Sequence, residues 1–538
     1  MKHTLRHHGA TLLCIAIVFL QLFVHVYMQR WPANHTPEGR TNVVNKDDSY
    51  YVAVIRQSID GAWKFKEPHT TRPTQPITVY VLYILAGKVA SILHIDPITM
   101  YGVLRIIGSI SASIAAFVFI VRVLPRSMHL LAVLFAFCVE TAPNWALVSF
   151  TNLSSLTAYA TSRTIITHQY DSAHHRLTEA IGIILLTLFM TQNTRFTIRY
   201  AITLIVLTIA GTLFSPSAMG VLVLTIYIPL AIVTLFRTKS PVKLLPIILS
   251  IGIIGCMGIW MKNEFAKGPP WDAFNAIESS WFSTSAILSQ YASSMLLYAP
   301  WVILYIIARF RKQTGGSPLH IPLLMGAWML LPLVFIYAKP YLPWLSFANW
   351  RIAWGTPTLP MAILASYGAY SAIQASSKYR LISYSAIALF FAASLSLSVV
   401  YVRNNVNALA YSVSPSLYPQ SDIVESLQFV ASLPKQSGVL TGPAFGEIMP
   451  AYANVRTFIG PPHAYSDWQE RNWLFYYFYS QKPTVEEAQT FLKKNDISYV
   501  FYGPEEQSYG NPAVPLYPTL LTPIFTREHS IIYKVSAL

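Results

Sequence analysis

Asn45-Lys46-Asp47-Asp48-Ser49-Tyr50-Tyr51 sets two carboxylates side by side just behind the first long apolar segment of the chain. Charged residues make up only 11% of the 538, while hydrophobic ones make up 54% and the mean hydropathy is +0.43. Runs of about 20 apolar residues recur along the sequence, the length a helix needs to cross a bilayer. The chain reads as a polytopic α-helical membrane protein, and paired acids at a membrane boundary point to chemistry at the membrane face.

The net charge of +15 does not indicate nucleic acid, because Lys and Arg are scattered among short loops and do not form one basic stripe. Cys14, Cys138 and Cys256 all fall inside apolar runs and form no CxxC or Cys/His cluster. Disulfides and a cysteine-built metal site are not expected.

A first span over about Thr11 to Gln29 follows Lys2 and Arg6, which places the N-terminus in the cytoplasm. It is too long for a signal peptide and lacks a small-residue cleavage site, so it reads as a retained anchor. Ile77 to Leu93 is apolar but carries Lys88 and runs into His94-Ile95-Asp96-Pro97. Treating it as interfacial puts the later basic turns, from Arg122 and Arg126 to Lys378 and Arg380, on one side. Further spans are then expected at roughly 98–122, 128–148, 178–193, 196–214, 217–236, 242–262, 288–309, 320–338, 351–373 and 380–400, about eleven in all.

This topology sends the long Trp-, Tyr- and Pro-rich segments 30–97, 149–177, 263–287 and 339–350, with the tail from about 403, to the extracytoplasmic side. The expected domains are a transmembrane domain over 1–402, its first external loop at 30–97, and an extracytoplasmic α/β domain over 403–538. In the tail, Ser421 to Leu433 and Thr484 to Asn495 have helical periodicity. Gly438 to Thr441, Val455 to Ile459 and Ile497 to Phe501 read as short buried strands. The turns Gly442-Pro443 and Gly503-Pro504 follow strands but match no dinucleotide fingerprint, so they read as turn punctuation and the tail is given no catalytic role.

Further motifs follow the acidic pair: Asp60-Gly61-Ala62-Trp63, then Arg72-Pro73-Thr74-Gln75-Pro76, then Gly87, then Arg105 entering the next span. Over the first 125 residues or so, this ordered series resembles the first external loop of GT-C glycosyltransferases. The pattern is most similar to that of protein O-mannosyltransferases and lipid A aminoarabinose transferases, although those enzymes more usually carry Lys-Pro-Pro where this chain has Arg72-Pro73-Thr74. The oligosaccharyltransferase Trp-Trp-Asp signature is absent from the sequence, which disfavours whole-glycan transfer.

The resemblance implies transfer of a sugar from a polyprenyl-phosphate donor to a glycan, lipid or protein acceptor, usually with inversion. Such a reaction needs a base for the acceptor hydroxyl and cations for the departing phosphate. Asp47 matches the catalytic acid position and Asp48 is its partner; like charge and partial desolvation are expected to raise the proton affinity of such a pair. The competing reading makes them N-caps of a helix beginning near Tyr50. Arg72, Arg105, Arg163, Arg176 and Arg351 are expected on the same face, where a guanidinium fork suits phosphate oxygens, with Glu179 and Tyr51 completing the substrate site.

Asp171, His174 and His175, spaced for one helical face, are candidate ligands for a divalent metal; a solvated interfacial turn is the alternative. Trp271, Trp281, Trp344 and Trp350 fit either a sugar platform or an interfacial aromatic belt. Asn34-His35-Thr36 and Asn152-Leu153-Ser154 fit a glycosylation sequon. The expected location is the cytoplasmic membrane. A transporter or flippase, or a catalytically silent scaffold, is the competing function; few charges in the span centres argue against transport.

Overall fold

The computed structural model describes residues 8–20, 22–23, 46–139, 172–191, 197–238, 240–273, 284–311, 320–342, 351–352, 358–375, 380–410, 419–461, 467–480, 482–510 and 516–536. The helices run α1 (His8–Leu20), α2 (Lys46–Ile59), α3 (Val81–Leu93), α4 (Pro97–Val123), α5 (His129–Cys138), α6 (Ala173–Thr191) and α7 (Ile198–Phe214). They continue as α8 (Pro216–Thr238, with a π-helical turn at Val223–Tyr227), α9 (Pro241–Phe265), α10 (Thr284–Leu296), α11 (Ala299–Phe310), α12 (His320–Ala338), α13 (Thr358–Ala375) and α14 (Arg380–Ala410). The tail adds α15 (Ser421–Val430), α16 (Pro443–Tyr452), α17 (Trp468–Tyr479), α18 (Val485–Lys494) and α19 (Pro504–Gln507). Two compact units divide the chain: Met1–Val26, Arg105–Trp260 and Ser279–Asn405 form one, and Tyr27–Leu104, Met261–Glu278 and Val406–Leu538 the other.

The first unit is helical. Four described helices are long and apolar enough to cross a membrane: α4, α8, α9 and α12 with its 3-10 extension to Tyr341. Elsewhere the apolar stretches found are 10–17 residues long, including Leu381–Ser396 within α14, so the eleven expected spans are not all present as single long apolar helices among the described residues. The run expected over 288–309 is two helices, α10 and α11, because Pro300 sits in the first turn of α11 and cannot continue the helix before it. Phe119, Phe135, Leu185, Tyr227, Trp328 and Met361 are fully buried in this unit's core. Hydroxyls inside the apolar segments bond to helix carbonyls: Thr187 Oγ1 donates to the Ile183 carbonyl one turn back at 2.7 Å, and Tyr227 Oη on α8 to the Gly182 carbonyl on α6 at 3.1 Å.

The second unit holds a five-stranded sheet. Its strands are β1 (Gly438–Leu440), β2 (Arg456–Thr457), β3 (Tyr499–Tyr502), β4 (Leu521–Arg527) and β5 (Ser530–Val535), in the order β2-β1-β3-β5-β4. β2, β1 and β3 pair parallel, while β5 and β4 complete the sheet antiparallel, so the expected α/β character of the tail is present. Thr484 opens α18 with a capping box closed by Glu487, as the sequence pattern Thr-x-x-Glu dictates.

α3 covers the expected interfacial segment from Val81 onward. Thirteen residues rise about 20 Å, short of the roughly 30 Å hydrocarbon core. One face is buried through Leu82, Tyr83, Ala86 and Ala90, while Leu85, Val89, Ile92 and Leu93 are exposed. α2 and α3 cross at Gly87, where an added Cβ would lie 2.5 Å from Ser58 Cβ and 2.6 Å from the Ile55 carbonyl oxygen. The same crossing is tied by Ser58 Oγ donating to the Ile84 carbonyl at 2.6 Å and by Lys88 Nζ donating to the Ser58 carbonyl at 3.0 Å.

Candidate active site

α2 is described from Lys46, so the acidic pair lies inside the helix, in its first described turn. This corrects the cap reading, which put the helix start near Tyr50. The Asp47 side chain lies outside the described part of the structure. Asp48 is 1% exposed, and Tyr101 Oη donates a short hydrogen bond to its Oδ1.

Tyr101 is presented by the start of α4, which the sequence builds locally. Asp96 accepts from the amides of Ile98 and Thr99 at 3.1 and 3.0 Å as an N-cap, and Pro97 takes the first helical position. Tyr51 stacks on Tyr83 with centroids 4.7 Å apart and on Tyr101 at 6.3 Å, and meets Tyr80 edge-on at 5.6 Å. The expected substrate-facing Tyr51 is thus one plate of an aromatic cluster around the acid-bearing turn.

The next two positions on α2 are held from elsewhere. Ser49 Oγ donates to the Glu447 carbonyl on α16 at 2.9 Å, and Tyr50 Oη donates to Glu67 Oε2 at 2.6 Å. Burial and the neighbouring Glu67 carboxylate push the Tyr50 phenol well above its ordinary value, which keeps it a donor. Asp48, Ser49 and Tyr50 therefore bond in turn to α4, to α16 and to the first loop.

Glu67-Pro68-His69 is a cluster that sequence reasoning missed. Glu67 and His69 are 2% and 0% exposed. Glu67 Oε1 accepts from the His69 amide at 3.1 Å and lies 2.7 Å from its Nδ1, while His69 Nε2 lies 3.2 Å from the Glu447 carbonyl oxygen. The Tyr50 ring stacks on the imidazole at 5.4 Å. Composition gives little sign of this group; the sequence signal is a Glu, a Pro and a His together in the first loop.

The resemblance motifs prove to be fastenings between the first loop and other parts of the same unit. Asp60 pairs with Lys435 at 2.8 Å and accepts from Asn454 Nδ2 at 2.7 Å, and Gly61 supplies the positive φ of 106° that closes the turn. Arg72 pairs with Asp467 at 2.7 Å, so its guanidinium is engaged by the tail. Arg56 Nε donates to the Ala451 carbonyl at 3.0 Å, near the C-terminal end of α16.

Trp271 is 1% exposed, tilted against Phe65 at 5.9 Å, with Nε1 donating to the Gln75 carbonyl at 2.9 Å. It is neither a sugar platform nor a belt residue; it is an internal prop of the first loop. Trp281, Trp344, Trp350, Arg163 and both sequons lie outside the described residues.

In the helical unit, Arg176 is 1% exposed and forms a short ion pair with Glu179 one turn along α6. Arg351 donates from Nη1 to Ser217 Oγ at 2.9 Å, and Arg105 lies half-buried on α4. His174 and His175 sit side by side at the start of α6 with ring centroids 3.9 Å apart. Asp171 lies outside the described residues, so the expected one-face spacing with His174 and His175 lies outside them too. Among the described residues no group of three or more His, Cys, Asp or Glu is placed to hold a metal.

Gly442-Pro443 and Gly503-Pro504 do begin helices after parallel strands, but the chain supplies its own anion there. Glu506, fully buried, accepts from Thr441 Oγ1 at 2.8 Å and from the Gly442 and Gly503 amides. Glu505 Oε2 accepts from the Ala444 amide at 3.0 Å. Burial pushes the Glu506 carboxyl above the usual range, against the pull of its donors.

The chain resembles an archaeal oligosaccharyltransferase, AglB from Archaeoglobus fulgidus, solved with an inhibitory peptide and a dolichol-phosphate. The match covers 97% of this chain and 74% of that one, at 13% identity and a TM-score of 0.50. The chain has the GT-C fold. The apo form of the Archaeoglobus fulgidus oligosaccharyltransferase aligns over the same shares at 13% identity and a TM-score of 0.47. No family model and no curated protein matches the sequence. At this identity the likeness establishes the fold alone. The GT-C fold is nonetheless the one that the first-loop motifs imply.

Proposed function

We propose that this protein is a membrane glycosyltransferase that moves a sugar from a polyprenyl-phosphate donor to an acceptor on the outer side of the cytoplasmic membrane. The observation that carries this reading is the acidic pair in the first described turn of α2, where Asp48 is buried under the Tyr101 hydroxyl beside Asp47. Tyr101 holds the Asp48 carboxyl in place by donating to its Oδ1. Asp47 is the general base that takes the acceptor hydroxyl proton as the oxygen attacks the anomeric carbon. The bond to phosphate breaks with inversion, and the phosphate leaves as an anion. Arg105, Arg176 and Arg351 are the cations assigned to that phosphate, with Glu179 orienting Arg176.

The GT-C fold supports this reading, as does the dolichol-phosphate bound by the similar archaeal enzyme. Mass spectrometry of polyprenyl-phosphate sugars and envelope glycans tests it, in cells with the gene, without it, and with Asp47→Asn. Accumulation of one donor, with loss of one sugar from a glycan in both altered strains, is expected. An unchanged glycan pool in the deletion overturns the transferase reading.

A further inference from the structure

The Glu67–His69 pair has no part in the proposed chemistry, yet it is buried and reaches two other elements. The Glu447 carbonyl oxygen accepts from Ser49 Oγ at 2.9 Å and faces His69 Nε2 at 3.2 Å. Both ring nitrogens of His69 thus face acceptors. The groups around the ring are the Glu67 carboxylate on its own loop, the Tyr50 phenol on α2, the Glu447 backbone on α16, and Arg471 of α17 on neighbouring Thr70 at 3.1 Å. Gly460 approaches so closely that an added Cβ would lie 2.8 Å from His69 Cδ2, so the ring has no room to swing.

We propose that His69 is a positioning residue: with the Glu447 carbonyl of α16, it holds the acid-bearing turn of α2 and so fixes where the acidic pair stands. The tail is then part of the catalytic apparatus through its backbone, without touching substrate. The grip has two arms, both starting from the Glu67–His69 pair. One runs through Glu67 to Tyr50, and the other through the Glu447 carbonyl, shared with Ser49. Adjacent residues on a helix point about 100° apart, so the two arms restrain both rotation and sliding of the turn. Pro68 is pinned as well, its carbonyl accepting from the Thr457 amide of β2 at 2.8 Å.

The inference rests on the transferase reading only for its consequence in catalysis. Hydrogen–deuterium exchange of the full-length protein in nanodiscs tests the grip itself, comparing wild type, His69→Gln and Ser49→Ala. Protection over residues 46–52 should fall at least about tenfold in both variants, while β1 and β3 keep theirs. Unchanged protection at 46–52 in either variant overturns the proposal. If His69→Gln loosens the whole sheet, Ser49→Ala decides by the same criterion.

The catalytic arm uses undecaprenyl phosphate as the binding probe and the cellular glycan as the measure of turnover. Affinity for the probe should stay within about twofold while sugar transfer falls on the order of 10- to 100-fold, the size expected when a reacting group is displaced by about 1 Å. Equal loss of affinity and transfer would show a role in binding and overturn positioning. If deletion of the gene leaves glycans unchanged, the transferase reading fails, while the exchange result still decides for or against the grip.

Discussion

Ser49 and Glu447 are 398 positions apart in the chain, and the Ser49 hydroxyl lies 2.9 Å from the Glu447 carbonyl oxygen. Ser49 follows Asp48 directly, so α16 is joined to the acidic pair by one hydrogen bond and one peptide unit. A lone buried hydrogen bond of this kind is worth about 0.5–1.5 kcal/mol. Its importance lies in direction more than in stability.

Asp47→Asn keeps the size of the side chain and removes its basicity. Transfer should fall roughly 10²- to 10⁴-fold, the usual contribution of general-base catalysis. The yield and melting temperature of the purified protein should not change. A variant that transfers at the wild-type rate removes Asp47 from the mechanism.

Tyr101→Phe takes a donor from a carboxylate that is 1% exposed. Loss of a hydrogen bond to a charged group costs about 1.5–3 kcal/mol. Thermal unfolding in nanodiscs should show a destabilised protein, and transfer should fall as well, because Asp48 no longer holds its charge in place. Wild-type stability in this variant would mean that the phenol contributes nothing to Asp48.

Gly87→Ala tests the crossing of α2 and α3. The new methyl meets the Ile55 backbone carbonyl at 2.6 Å, and backbone cannot turn aside as a side chain can. Overpacking of this kind costs about 1–3 kcal/mol. A lowered melting temperature with normal membrane insertion is the expected result.

Glu506 gives the tail a pH signature. Its folded-state pKa is raised, mainly by burial, so the folded protein holds this proton more tightly than the unfolded chain. The stability it contributes is complete below the ordinary glutamate range and is lost as pH rises through the raised value. Unfolding of the full-length protein, followed from about pH 4 to pH 8, should show this decline. Glu506→Gln has no such proton and should flatten that part of the slope, whatever its effect on absolute stability. An unaltered slope assigns the pH dependence to other groups.

Some of this architecture is legible in the sequence and some is not, for identifiable reasons. Asp47-Asp48 stands out as an adjacent acidic pair in a chain only 11% charged, and β1 and β3 show as continuous buried apolar runs. The hairpin of β4 and β5 does not show: β4 is mostly exposed, contains Pro523 and is bulged between Pro523 and Phe525. His69 is invisible for another reason, since its partner on α16 is 378 positions away and no local pattern encodes such a meeting. Trp271 misleads because a tryptophan near a bilayer boundary suggests an interface or a ligand, whereas here its indole closes the back of the first loop.

The long sequence interval between Ser49 and Glu447 sets an order of events during biosynthesis. At about 5–20 residues per second, the ribosome takes roughly 20–80 s to reach the second partner after making the first. Throughout that interval the acid-bearing turn is already made while its tail contact does not yet exist. Completion of the grip is thus timed to the end of synthesis, and a chain stalled or clipped before α16 carries its acids without the contact that orients them.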